Sequence, residues 1–377
     1  MADTENNKNS NSPASTSAPA LRFPGFTEPW RRIRLGDNCT IQMCKRIFAN
    51  QTSEIGEVPF FKIGTIGGYP DTFISKELFE EYKTRYNYPS EGEVMITCAG
   101  TVGKTMQFDG IDSYFQDSNI VWIHNPNQLT VNDFLAYVLG KINWNKLNST
   151  TITRIYNDDL RNLIYFAPEN VAEQRKIVSL LRLIDERIAT QRRLIEKLKT
   201  LIKGIAEFLT TNTPNTKIAD CLVCHSSTLQ ENQVGSSGKY RVYGASGICG
   251  YTDLPEVTDD SILIVKDGSG VGSVTYANRK YSVIGTSNYL TAKNGYLLRY
   301  LYYCLMCFNF TPYKTGMAIP HIYFKDYRKA KIYCPSIEEQ RKIAAALSDI
   351  EVKIEIEQTI LQQYTIQKQY LLQQLFI

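Results

Sequence analysis

The sequence predicts an α+β fold written twice: two similar globular modules, each followed by a long helix, with the helices paired antiparallel as an intramolecular coiled coil. Three observations carry this. One phrase occurs twice, as Pro168-Glu-Asn-Val-Ala-Glu-Gln-Arg-Lys-Ile177 and Pro335-Ser-Ile-Glu-Glu-Gln-Arg-Lys-Ile343, and its shared core starts at Glu173 and Glu339, 166 residues apart. Solenoid units repeat every 20 to 50 residues or so, so this spacing is that of a domain plus a helix. Each copy opens a long heptad stripe, and ahead of each lies the same succession of short β-like runs and glycine loops.

Taken in chain order, residues 1–20 are rich in Asn, Ser, Thr, Ala and Pro and read as a disordered tail. Residues 21–168 form the first module, 169–211 the first long helix, 212–335 the second module and 336–377 the second helix. Within the modules, Phe60-Phe-Lys-Ile-Gly64 is matched by Tyr240-Arg-Val-Tyr-Gly244, and the strand-like runs Glu93-Val-Met-Ile-Thr97 and Ser261-Ile-Leu-Ile-Val265 each lead into a glycine loop. Phe115-Gln-Asp-Ser-Asn119 is matched by Gly285-Thr-Ser-Asn288, and Thr153-Arg154-Ile155 by Pro320-His321-Ile322. One helix is expected near 131–141 and its counterpart near 295–308.

The first stripe places Ile177, Ile184, Leu198 and Ile205 at one heptad position and Leu181, Ile188, Ile195, Ile202 and Leu209 four residues on, interrupted by Gln191. The second places Ile343, Ile350, Tyr364 and Leu371 with Leu347, Ile354, Leu361 and Leu375, interrupted by Glu357 and Lys368. Such spacing over five heptads is a coiled-coil seam, and helices of this length span roughly 55–65 Å. Residues 169–209 carry nine basic and six acidic side chains, residues 336–377 four and six. Opposite signs favour the mixed pair within one chain. Gln191 and Glu357 each sit near the middle of their stripe, so antiparallel alignment brings them together.

Net charge is +4, with 15 basic and 16 acidic residues in 21–168 and 13 against 8 in 210–335. Any nucleic-acid face must then concentrate its charge locally. No run reaches 18 apolar residues and the N-terminus lacks the apolar core of an export signal. The expectation is a cytoplasmic chain with reduced thiols and no membrane.

Several motifs invite catalytic readings that their surroundings do not sustain. Gly100-Thr-Val-Gly-Lys104-Thr105 ends like a phosphate loop, yet the leading glycine of that pattern is Cys98. Gly268-Ser-Gly-Val-Gly272 lacks the remaining dinucleotide-loop spacing. Cys221/Cys224 and Cys304/Cys307 have zinc-ligand spacing, but the second pair lies in an apolar stretch that reads as a buried helix. The economical reading of both glycine loops is a repeated hairpin presenting backbone and short polar side chains.

Two non-identical α/β modules, each followed by a proline, Glu-Gln-Arg-Lys-Ile and a heptad helix, resemble the specificity subunits of type I restriction–modification enzymes. Tyr243-Gly-Ala-Ser-Gly247 and Thr315-Gly-Met-Ala-Ile-Pro-His321-Ile322 add to the resemblance, which covers about 21–377. Where the second module has Ala-Ile-Pro-His321, the first has Thr151-Ile-Thr-Arg154. The resemblance implies two target recognition domains, each reading one half of a bipartite double-stranded DNA sequence, and paired helices that set the spacer. It implies two docked modification (methyltransferase) subunits, restriction/translocase subunits, DNA methylation and phage defence. S-adenosylmethionine and ATP are then cofactors of partner subunits, with none on this chain and no metal.

Base edges are read by Arg, Lys, Asn, Gln, Ser and Thr, and phosphates by basic side chains and amides, preferentially from loops. The expected contacts are Lys62, Thr65, Lys104, Thr105, Gln116, Ser118, Asn119 and Arg154 in the first module. In the second they are Lys239, Arg241, Ser246, Lys266, Ser269, Ser287, Asn288, Lys314 and His321. Arg182, Arg192 and Lys199 are the expected partner contacts on the first helix. The competing classes are a scaffold whose globular halves bind protein, which would leave no DNA footprint, and a metal- or nucleotide-dependent enzyme, which would turn over substrate alone.

Overall fold

A computed structural model describes residues 18–144, 154–268, 270–316 and 319–377. The chain divides into two compact units: residues 1–188 with 363–377, and residues 189–362.

Both units are built on one plan. In the first, a four-stranded sheet has the order Thr40–Gln42, Ile120–His124, Val94–Thr97, Thr105–Gln107. A three-stranded sheet sets Val58–Phe61 between Phe73–Ile74 and Tyr114–Phe115, the latter pair parallel. In the second, Leu222–Ser226, Ser287–Ala292, Ser261–Val265 and Val274–Ala277 repeat the four-strand order, and Tyr240–Gly244 lies between Gly247–Thr252 and Ser282–Val283, again parallel to the last. The central strands Val94–Thr97 and Ser261–Val265 are buried at every position, as expected of strands covered on both faces. The helices Asn132–Lys141 and Leu298–Met306 lie where the apolar runs placed them. The units differ at the tip, where the first inserts a helix, Lys76–Arg85, capped by Ser75 Oγ accepting from the Leu78 amide.

The structure corrects the sequence register at two points. Parallel pairing sets Phe61 opposite Phe115 and Tyr243 opposite Val283, and each of Phe61 and Tyr243 accepts from the next amide, Gln116 or Ile284. Phe61 therefore matches Tyr243, two residues from the alignment of the two Gly-ended runs. Likewise Thr97 pairs with Ile120 and Val265 with Ser287, so Asn119 matches Thr286, not Asn288.

The long helices are Val171–Thr210 and Ile337–Gln374, shared between the units. In the first unit Ile177 and Leu181 join Leu371 and Leu375 in the core with Trp30 and Phe134. Asp185 pairs with Lys368 at 2.5 Å, and Arg187 donates to the Tyr364 hydroxyl. In the second, Ile195 and Ile202 pack with Ile343, Leu347 and Ile354 over the domain core. The chain order is antiparallel in each. Glu357, one of the two breaks in the second stripe, is buried; Gln191 Nε2 donates to its carboxylate and, at 3.0 Å, to its carbonyl, while Lys353 Nζ lies 2.5 Å from its other oxygen. Lys353 first, and Gln191 second, hold the Glu357 carboxyl below its usual pKa.

The repeated phrase has a mechanical purpose. Gln174 Oε1 accepts from the Val131 amide (2.8 Å) and its Nε2 donates to the Leu129 and Pro168 carbonyls. Gln340 repeats this, accepting from the Leu297 amide (3.0 Å) and donating to Pro335 O. Each glutamine thus satisfies an orphan amide at the start of the domain helix and ties that helix to the long one. Tyr137 and Tyr303 add a second tie, donating at 2.9 Å to Asp185 and Glu351. The glutamates differ. Glu173 is buried, clasped by Arg22 through two bonds of 2.7 and 2.8 Å and by Trp30 Nε1, whereas Glu339 is exposed. Arg22 belongs to an N-terminal strap whose Leu21 amide bonds to Gln374 O at 2.9 Å and whose Pro19 is buried. Residues 18–20 of the expected tail are thus part of this strap; residues 1–17 lie outside the described residues.

Candidate nucleic-acid interface

In each unit, loops from four places in the chain converge at one end of the central strand, and backbone hydrogen bonds set them there. In the first, Thr97 exchanges bonds with Lys104 and Gly103 across the hairpin, while Cys98 donates to Asn119 O and accepts from Ile155 N. In the second, Val265 pairs with Ser273 and Gly272, and Lys266 donates to Thr286 O and accepts from Ile322 N. Gly103 and Gly272 both adopt positive φ (82° and 88°). A β-carbon would meet the Trp144 ring at the first and crowd the Phe310 side chain, its Cβ first, at the second, so both turns favour glycine to lie against an aromatic side chain. Arg154 and His321 hold equivalent positions, each just before the isoleucine that closes the cluster.

Most of the expected residues of the first module gather here. Lys62 and Thr65 form a turn in which Thr65 Oγ1 accepts from the Lys62 amide, and Lys62 Nζ pairs with Asp71 at 3.0 Å. The Thr72 hydroxyl, then Lys62, lower the Asp71 pKa. Gln116 Oε1 accepts from Ile63 N, and Arg154 Nη2 donates to Ser118 O. Ser118 has φ 54°, unusual for a residue with a β-carbon and found where surrounding structure imposes it. Lys104 Nζ donates at 2.5 Å to Ile66 O, so the lysine of the phosphate-loop look-alike is spent joining two loops. Cys98 beneath it is buried and its thiol is pushed up to about 12 by burial. Thr105 departs from the group. Successive strand residues face opposite ways, and Thr105 turns from the cluster toward Tyr137 and Asp185.

In the second module Lys266, Lys314 and His321 come together: His321 exchanges backbone bonds with Thr315, and its Nδ1 lies 2.7 Å from Asp267 Oδ1. Ser246 is exposed in the turn beside Ala245, whose carbonyl approaches Gly270. Ser269 lies outside the described residues. Arg241 sits at the far end of the Tyr240–Gly244 strand, opposite Tyr251, and Lys239 just precedes that strand, away from this cluster. The loop placement of Ser287 and Asn288 is corrected: both are buried in strand Ser287–Ala292, with Asn288 bonded to Ser226 Oγ. The two-residue slip in matching polar runs led to them. Sequence reasoning missed Arg46, whose Nε donates to Asp117 Oδ2 at 2.8 Å beside Gln116 and Ser118. It lies in no motif, and only the fold brings it 71 residues along to Asp117.

On the first long helix, Arg182 is engaged by Asp133 and Lys199 by Glu196 at 2.9 Å, while Arg192 is exposed. Among the described residues no group of three or more His, Cys, Asp or Glu side chains is arranged to hold a metal, and no helix is long and apolar enough to cross a membrane. Cys221, Cys304 and Cys334 are buried in the core of the second unit.

A family model described as "Type I restriction modification DNA specificity domain" matches residues 27–200 and, a second time, 214–365. A putative type I restriction enzyme specificity subunit from Haemophilus influenzae is 44% identical over 177 residues, covering 47% of this chain and 42% of that protein. The chain thus spans less than half the length of the curated relative it matches. The crystal structure of the type I restriction–modification S subunit from M. genitalium superposes with a TM-score of 0.61 at 18% identity, covering 96% of this chain and 99% of that one. A chain from a structure on complex assembly and conformational transition of the type I system gives 0.52 at 17% identity, covering 94% and 98%. These two likenesses speak for the fold, and the doubled family match speaks for descent: the chain belongs to the type I restriction–modification DNA specificity family.

Proposed function

We propose that this chain is the DNA-reading subunit of a type I restriction–modification complex. Each globular half contacts one half of a bipartite duplex sequence, and the paired helices fix the spacing and dock two modification subunits. The observation that carries this is the pair of equivalent loop clusters bearing different side chains: Lys62, Gln116 and Arg154 in one, Lys266, Lys314 and His321 in the other. Equivalent placement suits two readers of one helix; different chemistry suits two different half-sequences. The chain supplies positioning and no bond-making. Methyl transfer from S-adenosylmethionine and ATP-driven translocation belong to modification and restriction/translocase subunits.

Leu194, Leu201 and Phe208 are exposed at seven-residue spacing on the first helix, beside Arg192 and Lys199. Exposed apolar side chains in such a row mark an interaction surface, and a modification subunit is the occupant this reading gives it. The test is reconstitution with the modification subunits followed by mapping of methylated sites. A single bipartite motif, absent when this chain is omitted, is expected. Methylation by the chain alone, or a motif unaffected by its omission, would contradict the proposal.

A further inference from the structure

We propose that Arg46 is a base-reading residue of the first globular half and that it selects guanine, through O6 and N7, with a guanidinium held in place by Asp117; this rests on the DNA-reading function proposed above. Arg46 follows strand Thr40–Gln42 and precedes the turn Ala49–Gln51. Its side chain is 60% exposed and that of Asp117 18%, with Nε 2.8 Å from Oδ2. Among the described residues its guanidinium makes no other hydrogen bond, so both terminal nitrogens remain available as a fork. Two acceptors side by side on the guanine major-groove edge fit that fork, the commonest specific contact of arginine with DNA.

Asp117 is itself fixed. On one side Gln116 donates its amide to Phe61 O and accepts from Ile120 N; on the other stands Ser118 at φ 54°. The arginine is therefore ordered before it meets DNA, which removes much of the side-chain entropy that binding would otherwise cost. A carboxylate next to the guanidinium also decides between its two common targets. Phosphate would be brought close to the negative charge of Asp117, whereas a base edge is neutral. Lys62 and Lys104, in the same loop cluster, are engaged by Asp71 and by the Ile66 carbonyl.

The second half has no such pair. The turns Ala49–Gln51 and Glu231–Gln233 match, with Gln51 and Gln233 each accepting from a backbone amide three residues earlier, at Phe48 and Gln230. This register puts Thr228 where Arg46 stands, and the Gln116–Ile284 match puts Gly285 where Asp117 stands. The guanine should therefore fall in one half-sequence only.

The experiment uses the full chain reconstituted with its modification subunits and a library of duplexes randomised through both half-sequences. Arg46→Ala should lower discrimination at one G·C position of the first half-sequence by roughly ten- to a hundredfold and leave the second half-sequence unchanged. Arg46→Lys should keep affinity and lose that discrimination, and Asp117→Asn should relax the same position less. Recognition of the second half-sequence reports that each variant is folded and assembled. A uniform loss of affinity across all sequences, with a shallower salt dependence, would make Arg46 a phosphate contact and overturn the assignment, as would an unaltered preference. A wild-type complex with no sequence preference at all would instead sink the DNA-reading function on which the assignment stands.

Discussion

Glu173 and Glu339 show how far one repeated residue can diverge. The first is buried against Arg22 and Trp30, the second is exposed. Replacing Arg22 by Ala leaves a buried carboxylate without its charge partner and should cost ~3 kcal/mol, whereas Glu339→Ala should change stability by less than ~0.5 kcal/mol. Thermal unfolding of the two variants checks this, and equal losses would contradict it. Gln174→Ala and Gln340→Ala strand equivalent amides, at Val131 and Leu297, and should each cost about 1–3 kcal/mol. The motif was legible as a repeat, but the difference within it was not. Glu173 owes its burial to a strap some 150 residues earlier, and nothing local to the phrase encodes that. The expected contact residues divide the same way. Lys62, Gln116, Arg154, Lys266 and His321 lie in segments whose order repeats, so duplication led to them. Ser287 and Asn288 were chosen by matching polar letters across a register that only hydrogen bonding reveals, and Thr105 by ignoring strand alternation.

At the level of elements, the long helices were the most legible part of the chain, because a heptad stripe is a local and redundant signal. Its interruptions proved equally readable: Gln191 and Glu357 meet in the seam. Since Lys353 and Gln191 depress the Glu357 pKa, the ionised carboxylate contributes stability at neutral pH, and that contribution is lost as pH falls through the carboxylate range below 4.5, its ordinary value. The stability gap between wild type and Glu357→Gln should therefore shrink on acidification; a gap independent of pH would show that the carboxylate is not held. Replacing both Gln191 and Glu357 by Leu should raise or preserve helix stability while loosening register. In the proposed function the same helices set the spacer. Adding seven residues to each, after Gln191 and after Glu357, preserves the stripe and lengthens the pair by about 10 Å. That is roughly three base pairs at 3.4 Å each. Methylation mapping should then find unchanged half-sequences around a longer gap, and an unchanged gap in a folded, assembled variant would contradict the role of the helices. The tip helix Lys76–Arg85 and the parallel strand pairs escaped sequence reading, since two-residue strands such as Ser282–Val283 are held by tertiary context and carry no periodicity.

At the scale of the whole molecule, the proposed function depends on two homologous readers with separable chemistry. Assembly should follow the exposed row on the first helix: Leu201→Asp or Phe208→Asp should weaken co-purification with modification subunits at least tenfold without altering the recognised bases. A shift in the recognised sequence would mean that this face reads DNA. The central claim is tested most directly by a chimera in which residues 27–168, the globular part of the first family match, are exchanged for the same segment of a relative with a different target. The methylated motif, mapped with the modification subunits present, should change in one half-sequence and keep the other half-sequence and the spacer. A chimera that assembles and methylates yet changes both half-sequences, or neither, would contradict the two-reader account.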